Sequence, residues 1–403
     1  MKILLVTQYF WPETFRINDL ALELHQRGCE VEVLTGKPNY PQGKIYEGYG
    51  FFSHNKDVYN GIKIHRVPLF PRGSGSGLRL VLNYLSYIFF ACFFILFSRK
   101  KYDVTLTFAI SPITQIYPAL LHKKVYGSKA VLWVQDLWPE SVMAAGKVGS
   151  AFIMKRLDKM VTNIYHKTDK ILVQSEAFIP SVRSKGVKED KIYYIPNWAE
   201  DLFLSTVSKE CSRFAGLIPQ GFIVMFAGNI GEAQDFESIL KASELTKHIV
   251  EIKWVIVGDG RKKNWFEDKI REKEMEKTVF LLGRYPVEDM PDFFACADVM
   301  LLTLKDDAIF SQTIPSKLQS YMAFGKPIVS MLNGITNDLI VKSDCGYIAN
   351  ATNYEQLATN ILIAHKTSQK HLLKKGENGK NYYQKYFSKN IVINNILNIF
   401  QEL

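Results

Sequence analysis

Residues 222–263 read FIVMFAGNIGEAQDFESILKASELTKHIVEIKWVIVGDGRKK. A six-residue apolar run ends in Gly228-Asn-Ile-Gly231. A stretch of helical period follows over 236–247. A second apolar run, 253–257, ends in Gly258-Asp-Gly260. Short apolar runs closed by glycines and separated by a helical stretch describe a strand–helix–strand unit of a parallel sheet. Outward from this unit the pattern repeats. Residues 279–282, 299–302 and 327–330 continue it. Residues 2–7, 30–35, 103–108, 129–134 and 170–174 form an earlier series, with a helix over 17–27 that stops at Gly28. The 403 residues exceed what one ordinary core organises. The expectation is therefore α/β: two doubly wound parallel-sheet halves, 1–200 and 205–377, with a hinge near 198–212. Ligands of such sheets sit beyond the carboxyl ends of the strands, so two facing sheets would line a cleft with the loops that follow their strands.

Hydrophobic content of 47% and charged content of 22% indicate a globular chain and exclude a disordered or fibrous one. Cys29, Cys92, Cys211, Cys296 and Cys345 are scattered, which points to buried thiols in a reducing compartment, and no metal-ligand spacing appears. The net charge of +10 is carried by the first half: residues 1–200 hold 26 basic against 16 acidic side chains, whereas 201–403 hold 24 of each. No nucleic-acid motif accompanies this excess, so nucleic acid is not expected as a partner, and an anionic membrane surface or a diphosphate fits better. With no signal peptide at its start, the chain is expected in the cytoplasm, attached peripherally to the inner face of the cell membrane.

The stretch 80–98, LVLNYLSYIFFACFFILFS, carries no charge. As a helix it would be about 28 Å long, close to a bilayer's hydrocarbon thickness. Spanning would place strands of the first sheet on opposite sides of a membrane, and Asn83 and Ser86 interrupt the run. Two readings remain: a crossover helix buried on the sheet, or a helix dipping into one leaflet. Its all-round hydrophobicity favours the leaflet. Phe89, Phe93 and Phe97 share one face, and Arg79, Arg99, Lys100 and Lys101 flank it for headgroup phosphates. The run Gly73-Ser-Gly-Ser-Gly77 before it would let it move.

Several strand ends could carry chemistry. The turn Tyr9-Phe-Trp-Pro-Glu-Thr-Phe-Arg16 opens the first helix, where an anion is favoured. Asp136, in Trp133-Val-Gln-Asp-Leu-Trp-Pro-Glu140, follows a strand and could accept a proton from an acceptor hydroxyl, with Trp138 beside it for a sugar face. It could equally cap the next helix. Gly228, Asn229 and Gly231, and Gly258, Gly260 and Arg261, let backbone amides approach a phosphate. In Ser311-Gln-Thr-Ile-Pro-Ser-Lys317, Pro315 at the first helical position would leave Thr313 or Ile314 as cap. Ser316 and Lys317 then lie in the first turn, where helix dipole and ammonium together would hold a diphosphate. Lys317→Ala is then expected to weaken diphosphate binding.

These segments, with Thr35-Gly-Lys-Pro-Asn-Tyr-Pro41, Tyr46-Glu-Gly-Tyr49, Arg66-Val-Pro-Leu69 and Asp136-Leu-Trp-Pro-Glu-Ser141, resemble over nearly the whole chain the retaining GT-B glycosyltransferases of family 4. The likeness is to the bacterial O-antigen and capsule subgroup that extends undecaprenyl-diphosphate-linked sugars. It implies a UDP-sugar donor, N-acetyl-L-fucosamine as the sugar, and a lipid-diphosphate-linked GlcNAc acceptor, with no cofactor and no metal. Asp136 and Lys317 are the implied catalytic residues. Donor contacts would come from Gly228, Asn229, Gly231, Gly258, Gly260, Arg261, Arg284, Gln312, Thr313, Pro315, Ser316 and Ser320, and acceptor contacts from Glu13, Arg16, Trp138 and Glu140. The family's two glutamates fall on Gln312 and Ser320, and its Arg/Lys pair after Gly231 is replaced by Glu232, Ala233, Gln234 and Asp235. The family's last helices, here 378–403, return to the first domain. A UDP-sugar epimerase of the same fold and a non-catalytic membrane-docking subunit are the alternatives.

Overall fold

The computed structural model describes residues 1–73, 77–144, 150–205 and 207–403. Ser74–Ser76, the centre of the glycine–serine run, lie outside the described residues. The chain forms two compact units, Met1–Ile195 with Ile393–Leu403, and Pro196–Val392.

The first unit holds β1 (Lys2–Val6), β2 (Glu30–Gly36), β3 (Lys56–Tyr59), β4 (Ile62–Val67), β5 (Val104–Ala109), β6 (Lys129–Val134), β7 (Lys170–Val173) and β8 (Ile192–Tyr194). They make one eight-stranded sheet in the order β3-β4-β2-β1-β5-β6-β7-β8. All pairs are parallel except the β3–β4 edge hairpin. The second unit holds β9 (Phe222–Ala227), β10 (Ile252–Val257), β11 (Val279–Gly283), β12 (Val299–Thr303), β13 (Ile328–Met331) and β14 (Gly346–Ala349). Their order is β11-β10-β9-β12-β13-β14, parallel throughout. In both units the chain crosses from one side of the first strand to the other, and the loops at that reversal are where such a sheet binds ligand.

The strands missing from the sequence reading are β3, β4, β8 and β14. Lys, Asp, His and Arg in β3 and β4 break the apolar runs that mark buried strands, and β8 and β14 are three and four residues long. The return to the first unit falls at Ile393 rather than at 378. The Gln369–Tyr386 helix stays in the second unit, where Tyr383 is buried and its hydroxyl meets the backbone of Ala199.

The apolar helix Gly77–Ser98 has a buried face and an exposed one. Leu80, Asn83, Tyr87, Ala91 and Ile95 are buried at helical spacing, while Leu85, Phe89, Phe93 and Phe97 are exposed. Asn83 and Ser86 are ties to the core. Asn83 accepts from Gln8 Nε2 at 2.6 Å and donates to Phe70 O at 2.6 Å, and Ser86 Oγ accepts from Phe70 N at 2.9 Å. It is the one helix among the described residues long and apolar enough to cross a membrane. Of its basic flank, Lys100 is committed inward. Its ammonium donates to both oxygens of buried Glu32, at 2.9 and 2.6 Å, and His65 and Tyr102 share that carboxylate.

Burial pushes the Glu32 carboxyl up, but these hydrogen bonds from His65, Lys100 and Tyr102 outweigh it and hold its pKa at about 2. A carboxylate with a depressed folded pKa contributes stability above its ordinary pKa and loses it as pH falls toward the folded one. Glu32→Gln should therefore cost about 1–3 kcal/mol at neutral pH. In denaturant titrations of both proteins, the gap should shrink between pH 4.5 and 2.

Candidate donor and acceptor sites

In the second unit, β9 runs straight into Gly228 and β10 into Gly258. Gly228 has φ +139° and Gly258 φ +155°, and a Cβ on Gly258 would stand 1.8 Å from Gly228 O. A Cβ on Gly228 would stand 2.6 Å from Lys317 Cε. Glycine at both positions is thus what lets two strand ends and one lysine side chain converge.

Lys317 comes from the helix Ser316–Phe324. This helix starts one residue later than the proline rule placed it. Pro315, at φ −70° and ψ 139°, occupies the cap itself, and no side chain caps the first turn. Thr313 instead ends the preceding helix, Ala308–Gln312. The first-turn amides are left for an anion, as expected of an uncapped N-terminus. Gly325, at φ +84°, ends the helix.

The Lys317 ammonium lies 3.7 Å from the centroid of the Phe226 ring and makes no ion pair among the described residues. Desolvation lowers its pKa from 10.5 to about 7. A cation held against an aromatic face with no counter-anion is poised to receive one.

Two adjoining cavities open here, of about 730 and 670 Å³, sharing Gly228, Arg284, Tyr285 and Met290. The first also takes Ser316, Lys317 and Ser320, and the second Asn229, Gly258, Gly260 and Arg261. The structure thus gathers eight of the twelve expected donor residues, together with Lys317, around these adjoining cavities. Gly231, Gln312, Thr313 and Pro315 do not line it. Gly231 is extended backbone before a short turn. Gln312 and Thr313 donate to the carbonyls of Ala308 and Ile309. Glu232, standing where the family's basic pair would be, is neutralised by Lys262 and Lys305 at 3.0 and 2.9 Å. The sequence reading missed Glu200, Tyr285, Pro286 and Phe294, which line the larger cavity. Tyr285 and Pro286 lie two and three residues past the end of β11, so the strand-end rule could have found them.

In the first unit Asp136 follows β6. Its Oδ2 accepts from Ser111 N at 2.9 Å and Ser111 Oγ at 2.8 Å, and Trp138 Nε1 donates to the same hydroxyl at 3.1 Å. Oδ1 accepts no hydrogen bond from the described residues and Asp136 is half-buried, so one oxygen of a fixed carboxylate stays available. Asp136 does not cap the following helix. Of the other acceptor residues, Glu13 is enclosed. Its oxygens accept from the amides of Asn39 and Tyr40 at 2.8 and 2.7 Å and of Phe10 at 3.3 Å, and burial raises its pKa to about 7 against those bonds. It holds one loop to another rather than facing outward. Arg16 begins the first helix, Arg16–Gln26. Glu140 accepts from Ser181 Oγ at 2.6 Å and keeps a second oxygen buried without a partner, so it too is internal.

Comparison with known proteins follows the same division. Residues 14–198 match the glycosyl transferase 4-like domain and residues 208–382 the glycosyl transferases group 1 domain. The chain is built from the two domains of a GT-B glycosyltransferase of the family 4-like kind. Over 340 residues it is 24% identical to a protein named as a colanic acid biosynthesis glycosyl transferase, WcaI of Escherichia coli K12, covering 81% of this chain and 82% of that one. It is 29% identical to the glycosyltransferase WbjE of Pseudomonas aeruginosa over 273 residues, 65% and 66% of the two chains. Among solved structures, Anabaena HepE in complex with UDP superposes with a TM-score of 0.74 at 14% identity over the whole of both chains. WaaG, a glycosyltransferase of lipopolysaccharide biosynthesis, gives 0.67 at 14% identity over 99% of each.

Lys317 is held at a cost to the fold, since its desolvated charge is unpaired. Lys317→Met should raise stability by about 1–3 kcal/mol at pH 7. A lysine with a lowered folded pKa binds fewer protons folded than unfolded between pH 7 and 10.5, so the advantage of the methionine variant should fade across that range. Chemical denaturation at three pH values checks both statements.

Proposed function

We propose that this glycosyltransferase moves a sugar from a UDP-linked donor, with retention of configuration, onto a sugar carried by a lipid diphosphate at the inner face of the cell membrane. Following the sequence resemblance, the sugar is N-acetyl-L-fucosamine, the acceptor undecaprenyl-diphosphate-linked GlcNAc, and the product an O-antigen precursor. The observation that carries the donor side is the unpaired, desolvated Lys317 beside the Gly228–Gly258 crossing, at the uncapped start of a helix. A nucleoside diphosphate supplies the missing negative charge. UDP bound to HepE, and the polysaccharide roles in the names of WcaI and WaaG, agree with this reading.

In this reading Lys317, Arg261 and Arg284 stabilise the charge that develops on the departing UDP, so the reaction draws on no metal or cofactor. Asp136, oriented by Ser111, receives the acceptor hydroxyl's hydrogen bond through its second oxygen and takes the proton as the new glycosidic bond forms and the bond to UDP breaks. The exposed aromatic face of the Gly77–Ser98 helix, with Arg79, Arg99 and Lys101 around its ends, rests on anionic lipid. Lys100 has no part in that contact.

Lys317→Ala should weaken UDP binding at least tenfold and cut transfer by orders of magnitude. Because the free lysine titrates near pH 7, UDP affinity should fall as pH rises from 6 to 8. Calorimetry in buffers of different ionisation enthalpy should register proton uptake on binding, and pH-independent affinity would remove Lys317 from the diphosphate site. Asp136→Asn should leave UDP affinity intact while lowering transfer about a hundredfold or more, read with a UDP-sugar and a polyprenyl-diphosphate-linked GlcNAc. Replacing Phe89, Phe93 and Phe97 together by serine should abolish sedimentation with vesicles containing phosphatidylglycerol, and unchanged sedimentation would reject the membrane face.

A further inference from the structure

Four segments of the first unit meet where the Gly77–Ser98 helix crosses the ends of β1, β2 and β4. Gln8 Nε2 donates to Asn83 Oδ1 at 2.6 Å, which brings Tyr9 and Tyr84, the next residue on each segment, near one another. Asn83 Nδ2 donates to Phe70 O at 2.6 Å, and Arg72 N donates to Asn39 Oδ1 at 3.2 Å, which holds Arg72 at the same place. The Tyr40 ring touches two of these residues. Its centroid lies 5.0 Å from the Arg72 guanidinium and 5.8 Å from the Tyr9 ring centroid.

The groups gathered here are donors without acceptors. The Arg72 guanidinium makes no ion pair and no hydrogen bond among the described residues. The Tyr9 hydroxyl is buried without a partner, on a residue only 2% exposed. The Tyr84 hydroxyl also bonds to none of the described residues. Burial pushes both phenols above their ordinary pKa, so both stay protonated and able to donate. Glu13, whose charge also acts on Tyr9, is occupied by the amides of Asn39, Tyr40 and Phe10. A guanidinium without a counter-anion and buried hydroxyls without acceptors call for one kind of ligand, an oxyanion. We propose that Arg72 and the hydroxyls of Tyr9 and Tyr84 hold the diphosphate of the lipid-linked acceptor. This rests on the acceptor side of the reading above.

Two observations make the oxyanion a lipid's. A cavity of about 640 Å³ is lined by Phe70, Pro71 and Gly73, which bracket Arg72 in the chain, and by Lys44, Arg79 and Leu82. Cations and apolar surface in one space suit a phosphate that carries a hydrocarbon tail. Leu82 is 44% exposed and begins the outer apolar face that continues through Leu85 and Phe89, so the tail leaves along the lipid side of the helix. The second observation is Asp136. Its charge and that of Arg72 both act on the Tyr84 phenol. A sugar lying between them presents its hydroxyl to Asp136 and its anomeric phosphate to Arg72. The apolar helix thus gives the acceptor a hydrogen-bond donor as well as giving the bilayer a face.

The test measures transfer by the full chain to two acceptors, a polyprenyl-diphosphate-linked GlcNAc and the farnesyl glycoside of GlcNAc, which has a tail but no phosphate. The unaltered protein should favour the diphosphate by about a hundredfold or more in kcat/KM. Arg72→Met should reduce that preference to under about tenfold, chiefly through KM, and Arg72→Lys should recover part of it. Tyr9→Phe should raise the KM for the diphosphate acceptor about threefold or more while melting no lower than the unaltered protein, because the hydroxyl it removes has no partner inside the fold. A merely structural role would lower the melting temperature and leave KM alone. UDP affinity should stay the same in all of these. Should Arg72→Met melt early, Tyr9→Phe combined with Tyr84→Phe carries the comparison. An undiminished preference in these variants overturns the assignment. So does a variant at Arg72 that keeps the preference but no longer sediments with phosphatidylglycerol vesicles, since the guanidinium then serves bulk headgroups. Equal transfer to both acceptors by the unaltered protein also overturns it and leaves the transferase reading standing. If the unaltered protein uses neither acceptor, the acceptor reading itself fails and this inference falls with it.

Discussion

The second unit depends on a close approach of backbone to backbone. At the ends of β9 and β10, Gly258 and Gly228 pass so near one another that no side chain fits on Gly258. Gly228 N donates to Val257 O at 2.8 Å and Ile230 N to Asp259 O at 2.8 Å, so the crossing is also hydrogen-bonded. The aliphatic end of Lys317 packs against this convergence, where a Cβ on Gly228 would stand. The cavities flanking Gly228 exist because the strand ends are drawn together on one side and the Ser316–Phe324 helix starts uncapped on the other. A methyl group at residue 258 would force the strand ends apart and move every group that faces the cavity.

The same packing explains why the lysine is uncomfortable. An ammonium over Phe226, without a carboxylate, recovers only part of the hydration it lost. The chain nevertheless spends its nearby acid elsewhere: Glu232 pairs with Lys262 and Lys305. An unpaired, desolvated ammonium of this kind opposes folding and favours an approaching anion. Glu32 in the first unit is the opposite case. There a buried carboxylate is surrounded by three donors and its pKa falls to about 2, which is the pattern of a group that serves the fold.

Much of the architecture was legible because parallel strands buried on both faces read as continuous apolar runs. Strands β6 and β9 carry the bounds the runs suggested. What escaped was short or polar: the β3–β4 hairpin, β8 and β14. The donor side was legible where glycine and proline punctuate strand and helix ends, as at Gly228, Gly258 and Gly325. It was less so at Pro315, where a proline's fixed φ suits both the cap and the first helical position. Glu200 was out of reach because nothing local marks it. It lines the cavity in a segment that Gln319, 119 positions on in the chain, holds by donating to Asn197 O. Of the expected acceptor residues, Glu13 and Glu140 accept hydrogen bonds from Asn39, Tyr40 and Ser181, and a carboxylate in a turn or at a helix start reads the same in sequence whether it faces solvent or the protein's own donors.

The helix Gly77–Ser98 shows how far composition alone can carry such a judgement. Its sequence is apolar on every side, so a hydrophobic stripe cannot select the buried face. The polar residues select it instead. Asn83 and Ser86 bond to Phe70 and Gln8, groups fixed to the sheet, and only one rotation of the helix satisfies them. That rotation turns Phe89 and Phe97 outward, 64% and 67% exposed. Had folding required only burial, polar side chains would be expected on the outer face, since water is a poor partner for a row of phenylalanines. The residues that look like interruptions of a membrane segment are thus the ones that fix its orientation. The outer face has a composition that suits a lipid surface, and the basic ends at Arg79 and Arg99 suit the phosphates above it.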